Sequence, residues 1–172
     1  MDADFYAYID RNIDKILSFD ENALEYMTKM NCRIKGTVVE QDERESGLRA
    51  ILNFGHTIGH AVESVSGFSM LHGECVSAGI AGAYRLALKL GMTDKGTVDE
   101  VEGTLKKAGL PVKAPGMDTK KIMDQMFFDK KVKDGKLNFV LPKRIGEVQC
   151  CALNDKEILK EVLDELTVEN IS

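Results

Sequence analysis

Gly47-Leu48-Arg49-Ala50-Ile51-Leu52-Asn53-Phe54-Gly55-His56-Thr57-Ile58-Gly59-His60-Ala61-Val62-Glu63 sorts into two opposed faces at the ~100° per residue of a helix. Ile51, Phe54, Ile58 and Val62 form an apolar stripe, and Arg49, Asn53, His56, His60 and Glu63 fall on the opposite one. An ordinary solvated stripe would favour Lys and Glu. Donors and acceptors of several types on one line point instead to a site. Gly55 and Gly59 each cost ~1 kcal/mol relative to Ala inside a helix, which predicts that a packed helix or a ligand comes close to the backbone.

All three histidines of the chain lie between positions 56 and 72. His56 and His60, spaced i, i+4, reach a shared point above the helix. His72, in Leu71-His72-Gly73-Glu74, stands at the expected start of the next helix, where the positive dipole end favours the neutral imidazole that binds metal; a helix cap is its alternative role. A lone histidine is more often a hydrogen-bonded structural residue, so spacing alone leaves a metal site and a structural pair both standing. Lys35, Glu45, Arg49 and Lys143 could add charge and acid-base capacity around such a metal. Each alone also reads as a solvated charge, a turn residue or the end of an edge strand after Pro142.

Outward from this stretch the chain reads as mostly helical. Phe5, Ile9, Ile13 and Ile16 repeat at helical spacing, and Ser18 or Asp20 can cap a second helix that runs to about residue 39 with Leu24, Met27, Ile34 and Val38 on one side. A small-residue helix follows Leu71-His72-Gly73 and ends before Gly91, with further helices over 97–107 and 119–130, the latter turning Ile122, Met126 and Phe127 inward. Lys133-Asp134-Gly135-Lys136 is a hairpin turn signal, and 137–141 and 147–152 read as short strands. Asn154 with Glu157 resembles a capping box for a last helix whose Ile158, Val162, Leu163 and Leu166 face inward. The expected fold is mainly α, a multi-helix domain with a small C-terminal β-hairpin.

The 172 residues, 44% hydrophobic, suffice for one domain with a sizeable core. Apolar stretches are interrupted well short of the ~20 residues of a membrane span, and the acidic N-terminus lacks the regions of a signal peptide, so a cytoplasmic location is expected. A net charge of -5 argues against nucleic-acid binding. Cys32, Cys75, Cys150 and Cys151 show no CxxC spacing and are expected to be buried, reduced thiols.

The run 35–63, containing Glu40-Gln41-Asp42-Glu43-Arg44-Glu45-Ser46-Gly47-Leu48-Arg49, together with Leu71-His72-Gly73-Glu74, Asp129-Lys130-Lys131 and Phe139-Val140-Leu141-Pro142-Lys143-Arg144-Ile145-Gly146, resembles the 3-dehydroquinate synthases over nearly the whole chain. The resemblance implies that residues 1–172 form that family's C-terminal metal- and substrate-binding α domain. It also implies a shikimate-pathway lyase that converts 3-deoxy-D-arabino-heptulosonate 7-phosphate to 3-dehydroquinate and phosphate. His56 and His72 would be two of three protein ligands to zinc or cobalt, with positions left open for substrate. His60, Asn53 and Lys143 would meet the substrate phosphate, and Arg49 and Lys35 its carboxylate and nearby hydroxyls. Glu45 would be an orienting group. NAD would be held mainly by an upstream α/β domain of which this sequence shows no glycine-rich loop, and the third metal ligand, a Glu, is expected just before residue 1. By the same resemblance the full-length enzyme is a homodimer, and this chain alone is inactive.

Three other readings stand beside this one. Another sugar phosphate cyclase is disfavoured by Lys35 and Arg49, which suit a carboxylate, and a metal-dependent polyol dehydrogenase by Asn53, His60 and Lys143, which suit a phosphate. The third is a non-catalytic metal- or anion-binding helical module, or a subunit interface.

Overall fold

Amphipathic spacing becomes helix along most of the chain in a computed structural model, which describes residues 2–42, 47–67, 69–129 and 137–168. The order is α1 (Ala3–Arg11), α2 (Ile13–Leu17), α3 (Glu21–Gln41), a 3-10 segment (Leu48–Asn53), α4 (His56–Val65), α5 (His72–Lys89), α6 (Lys95–Lys107), α7 (Thr119–Asp129), β1 (Leu137–Arg144), β2 (Glu147–Leu153) and α8 (Lys156–Thr167). This is the mainly helical fold with a C-terminal hairpin that the sequence predicts.

α5 is the central element, packed by α4, β1, α8 and α6. Its Cys75, Ala78, Ala81, Leu86 and Ala87 are fully buried, alongside Ile58 and Val62 of α4, Ile122 of α7, Leu141 of β1, and Val162, Leu163 and Leu166 of α8. The small residues have a specific purpose. A Cβ on Gly59 would lie 3.0 Å from the Cys75 carbonyl, and one on Gly79 would lie 2.7 Å from the Gly59 nitrogen. The close approach foreseen from Gly55 and Gly59 is therefore that of a packed helix.

Four expectations are corrected. The run 47–63 is not one helix: the 3-10 segment ends at Phe54, whose ψ of 130° is extended, and Gly55 takes the left-handed φ of +78° as the residue preceding α4. Only glycine adopts that conformation freely, and a side chain there would also meet Ile80. The first helix divides at Asn12, whose side-chain amide donates to the Tyr8 carbonyl at 2.9 Å and so competes with the helical ladder. α8 is capped by Asp155, which accepts from the Glu157 and Ile158 N–H groups, and not by Asn154. Of the four cysteines only Cys75 is buried; Cys32 and Cys150 are exposed and Cys151 is intermediate, because helix α3 and strand β2 each leave one face to solvent.

Asp20 caps α3 by accepting from the Ala23 N–H at 2.9 Å. β1 and β2 pair antiparallel, from Leu137 with Leu153 to Arg144 with Glu147, through a turn at Ile145-Gly146 where Gly146 has φ +85°. The turn signal at 133–136 lies outside the described residues.

Candidate metal centre

α4 and α5 each begin with a histidine. Gly55 turns the chain so that His56 opens α4, with His60 one turn further on, and the crossing of the two helices carries His72, first residue of α5, to the same place. The ring centroids of His56 and His60 are 5.2 Å apart, those of His56 and His72 5.6 Å, and those of His60 and His72 5.7 Å. One nitrogen from each of the three lies within 4.8 Å of the others. His56 is half-buried and the other two are exposed, so the cluster is open to a solute.

Two of the rings are held from behind. His56 Nδ1 lies 3.1 Å from the Phe54 carbonyl, and His72 Nδ1 lies 3.1 Å from Glu63 Oε2. Each oxygen accepts a hydrogen bond from Nδ1–H, which in the neutral ring leaves Nε2 as the lone-pair donor. Three imidazoles within this span suit a divalent transition metal, whose nitrogen donors stand roughly 3.4 Å apart in a tetrahedral shell with ~2.0–2.1 Å bonds. Glu63 lies on the histidine stripe of the sequence, and its position one turn beyond His60 is the only local signal of this contact.

A second group lies on the 3-10 segment and α3. Lys35, Arg49 and Asn53 line one open cleft with Ala50 and Leu52. Asp42, only 4% exposed, fixes the cleft wall by accepting from the Gly47 N–H at 2.9 Å and the Arg49 N–H at 2.8 Å. In the sequence Asp42 is one more charge in an acidic run, and the glycine five residues later is the one hint of a chain reversal it could cap. Lys143 occupies the irregularity between Pro142 and Arg144, where its ammonium lies 3.5 Å from Glu147. It is not among the described residues lining the cleft. Glu45 lies outside the described residues, as do Lys130 and Lys131.

Comparison with known proteins gives the lineage. The family model described as 3-dehydroquinate synthase C-terminal matches residues 1–132. The chain belongs to that family. A 3-dehydroquinate synthase of Ruminiclostridium cellulolyticum is 56% identical over 167 residues, which cover 97% of this chain and 46% of that protein. One from Acetivibrio thermocellus is 57% identical over 96% of this chain and 46% of its own length. The chain thus spans about half the length of the curated relatives it matches. Among solved structures, a 2-epi-5-epi-valiolone synthase from Streptomyces hygroscopicus with NAD+ and Zn2+ bound superposes with a TM-score of 0.85 at 20% identity, covering 96% of this chain and 46% of that one. A 2-deoxy-scyllo-inosose synthase complexed with carbaglucose-6-phosphate, NAD+ and Co2+ gives 0.73 at 24% identity, over 84% of this chain and 42% of that one. These two likenesses establish a common fold.

Proposed function

We propose that this chain is the metal- and substrate-binding domain of a 3-dehydroquinate synthase, acting on 3-deoxy-D-arabino-heptulosonate 7-phosphate and releasing phosphate. The observation that carries the reading is the gathering of one nitrogen each from His56, His60 and His72 within 4.8 Å of one another, in a chain that also has a cleft lined by Lys35, Arg49 and Asn53. The identity with 3-dehydroquinate synthases of two organisms supports it.

On this reading His56 and His72 hold zinc or cobalt through Nε2, a choice supported by Zn2+ and Co2+ in the two structural neighbours. When bound, such an ion supplies Lewis acidity to a substrate oxygen. Arg49 offers a planar fork to the substrate carboxylate, and Lys35 a point charge beside it. Asn53 and His60 donate to the phosphate, and Lys143, which here pairs with Glu147 at 3.5 Å, supplies a further positive charge. NAD, present in both neighbours, would be held mainly by the part of the relatives' length that this chain does not match.

A second arrangement is favoured by one distance: the His60 nitrogen lies within the same 4.8 Å span as the other two. In the isolated chain His60 then acts as a third metal ligand and turns to the phosphate only when another donor completes the shell.

The test joins this chain to the nucleotide-binding half of the family and measures phosphate release. Release from the carboxylated heptulosonate phosphate, lost on Arg49→Ala, is expected. A metal-loaded, NAD-bound protein that ignores this substrate and turns over an uncarboxylated sugar phosphate would sink the assignment.

A further inference from the structure

We infer that Glu63 is a positioning residue for the metal centre: it holds His72 in the tautomer and orientation that present Nε2 to the ion. The inference rests on the reading of His72 as a ligand. The Glu63 carboxylate lies on α4 and meets His72 Nδ1, on α5, at 3.1 Å through one oxygen and 3.3 Å through the other. A carboxylate only accepts, so Nδ1 carries a proton, and in the neutral imidazole Nε2 then carries the lone pair. The His72 side chain is 54% exposed while that of Glu63 is 22% exposed, so the better-packed partner anchors the looser one. His56 is held in the same sense by the Phe54 carbonyl, giving both proposed ligands an acceptor behind Nδ1. A carboxylate there also makes the imidazole a stronger donor and brings negative charge towards a cation.

A purely structural clasp between α4 and α5 is the competing role. Those helices are already locked by the contacts of Gly55 and Gly59 with α5, and an exposed pair adds little to stability. Two readouts on the 172-residue chain separate the roles. Long-range 15N NMR of the metal-free protein, at a pH where its imidazoles are neutral, should find His72 protonated on Nδ1. Glu63→Gln should keep that tautomer because its amide oxygen still accepts, and Glu63→Ala should shift it to Nε2–H. Titration with Co2+ should show affinity reduced ~10–100-fold in Glu63→Ala and less in Glu63→Gln, with all three proteins melting within a few degrees of one another. A wild-type His72 protonated on Nε2, or a Glu63→Ala chain that binds Co2+ as tightly as wild type, overturns the positioning role alone. A wild-type chain that takes up no Co2+ overturns the three-histidine shell proposed for the isolated chain.

Discussion

Gly79 of α5 lies so close to the Gly55 carbonyl at the entrance to α4 that a β-carbon at position 79 would overlap that oxygen and stand 2.7 Å from the Gly59 nitrogen. The obstruction is backbone, which cannot rotate away. This contact sets the helix crossing and, through it, the distance of His72 from His56.

Gly79→Ala should therefore destabilise the chain by at least ~1–3 kcal/mol and weaken Co2+ binding as α5 is pushed off α4. Gly73→Ala is the control, since a Cβ there meets nothing within 4 Å. It should be neutral or slightly stabilising by helix propensity. Urea unfolding of both variants checks this, and equal effects would discount the helix contact.

The histidines should separate by their metal content. On the proposed assignment His56→Ala and His72→Ala are each expected to lose bound zinc or cobalt in the chain joined to the nucleotide-binding half, and nearly all turnover, since each removes a proposed ligand. His60→Ala should retain metal and show impaired phosphate release. In the isolated chain His60→Ala should also weaken metal binding if it completes the shell there. Metal analysis beside kinetics decides; a full-length His60→Ala that loses metal while His72→Ala keeps it reverses the assignment.

Tyr84 makes stability fall at alkaline pH. Burial, then the charges of Tyr6 and Glu100, push its phenol up from 10.0 to about 12. The folded state thus holds this proton more tightly than the unfolded one. Its contribution is complete below pH 10 and is lost between about 10 and about 12, a fall of roughly 2–3 kcal/mol. Tyr84→Phe should flatten that part of the curve, leaving the upward shift of Tyr6. Denaturant titrations at several alkaline pH values measure it, and an unchanged slope in the variant would exclude Tyr84 as the source.

The cysteines should react in order of exposure. Cys32 and Cys150 are exposed and should be labelled quickly by a disulfide reagent. Cys75 is fully buried, and burial followed by the charges of Glu63 and Glu74 raises its thiol further. It should react only when the chain opens. Mass spectrometry of peptides after brief labelling gives the order, and rapid labelling of Cys75 would mean that α5 is less well covered than its packing shows.

Much of the helical frame is written locally. The stripe Val162, Leu163 and Leu166 is buried as its spacing predicts, as are Ile122 and Met126 of α7, because periodicity records which face of a helix avoids water. The two strands and the gathering of all three histidines into one short region could likewise be read from the chain. Periodicity does not record where a helix stops: the run 47–63 keeps its two stripes across a break at Phe54 and Gly55, since the break is enforced by α5 passing close by. Nor could it foretell that Glu63 would reach His72 nine residues on, or that Asp42 would turn inward to the Gly47 and Arg49 amides. The sequence by itself determined the frame and the residue types of the candidate site. The tertiary structure decided which polar groups meet, because the crossing of α4 and α5 rests on side chains that Gly55, Gly59 and Gly79 lack, and a glycine announces a close approach without saying which element makes it or at what angle.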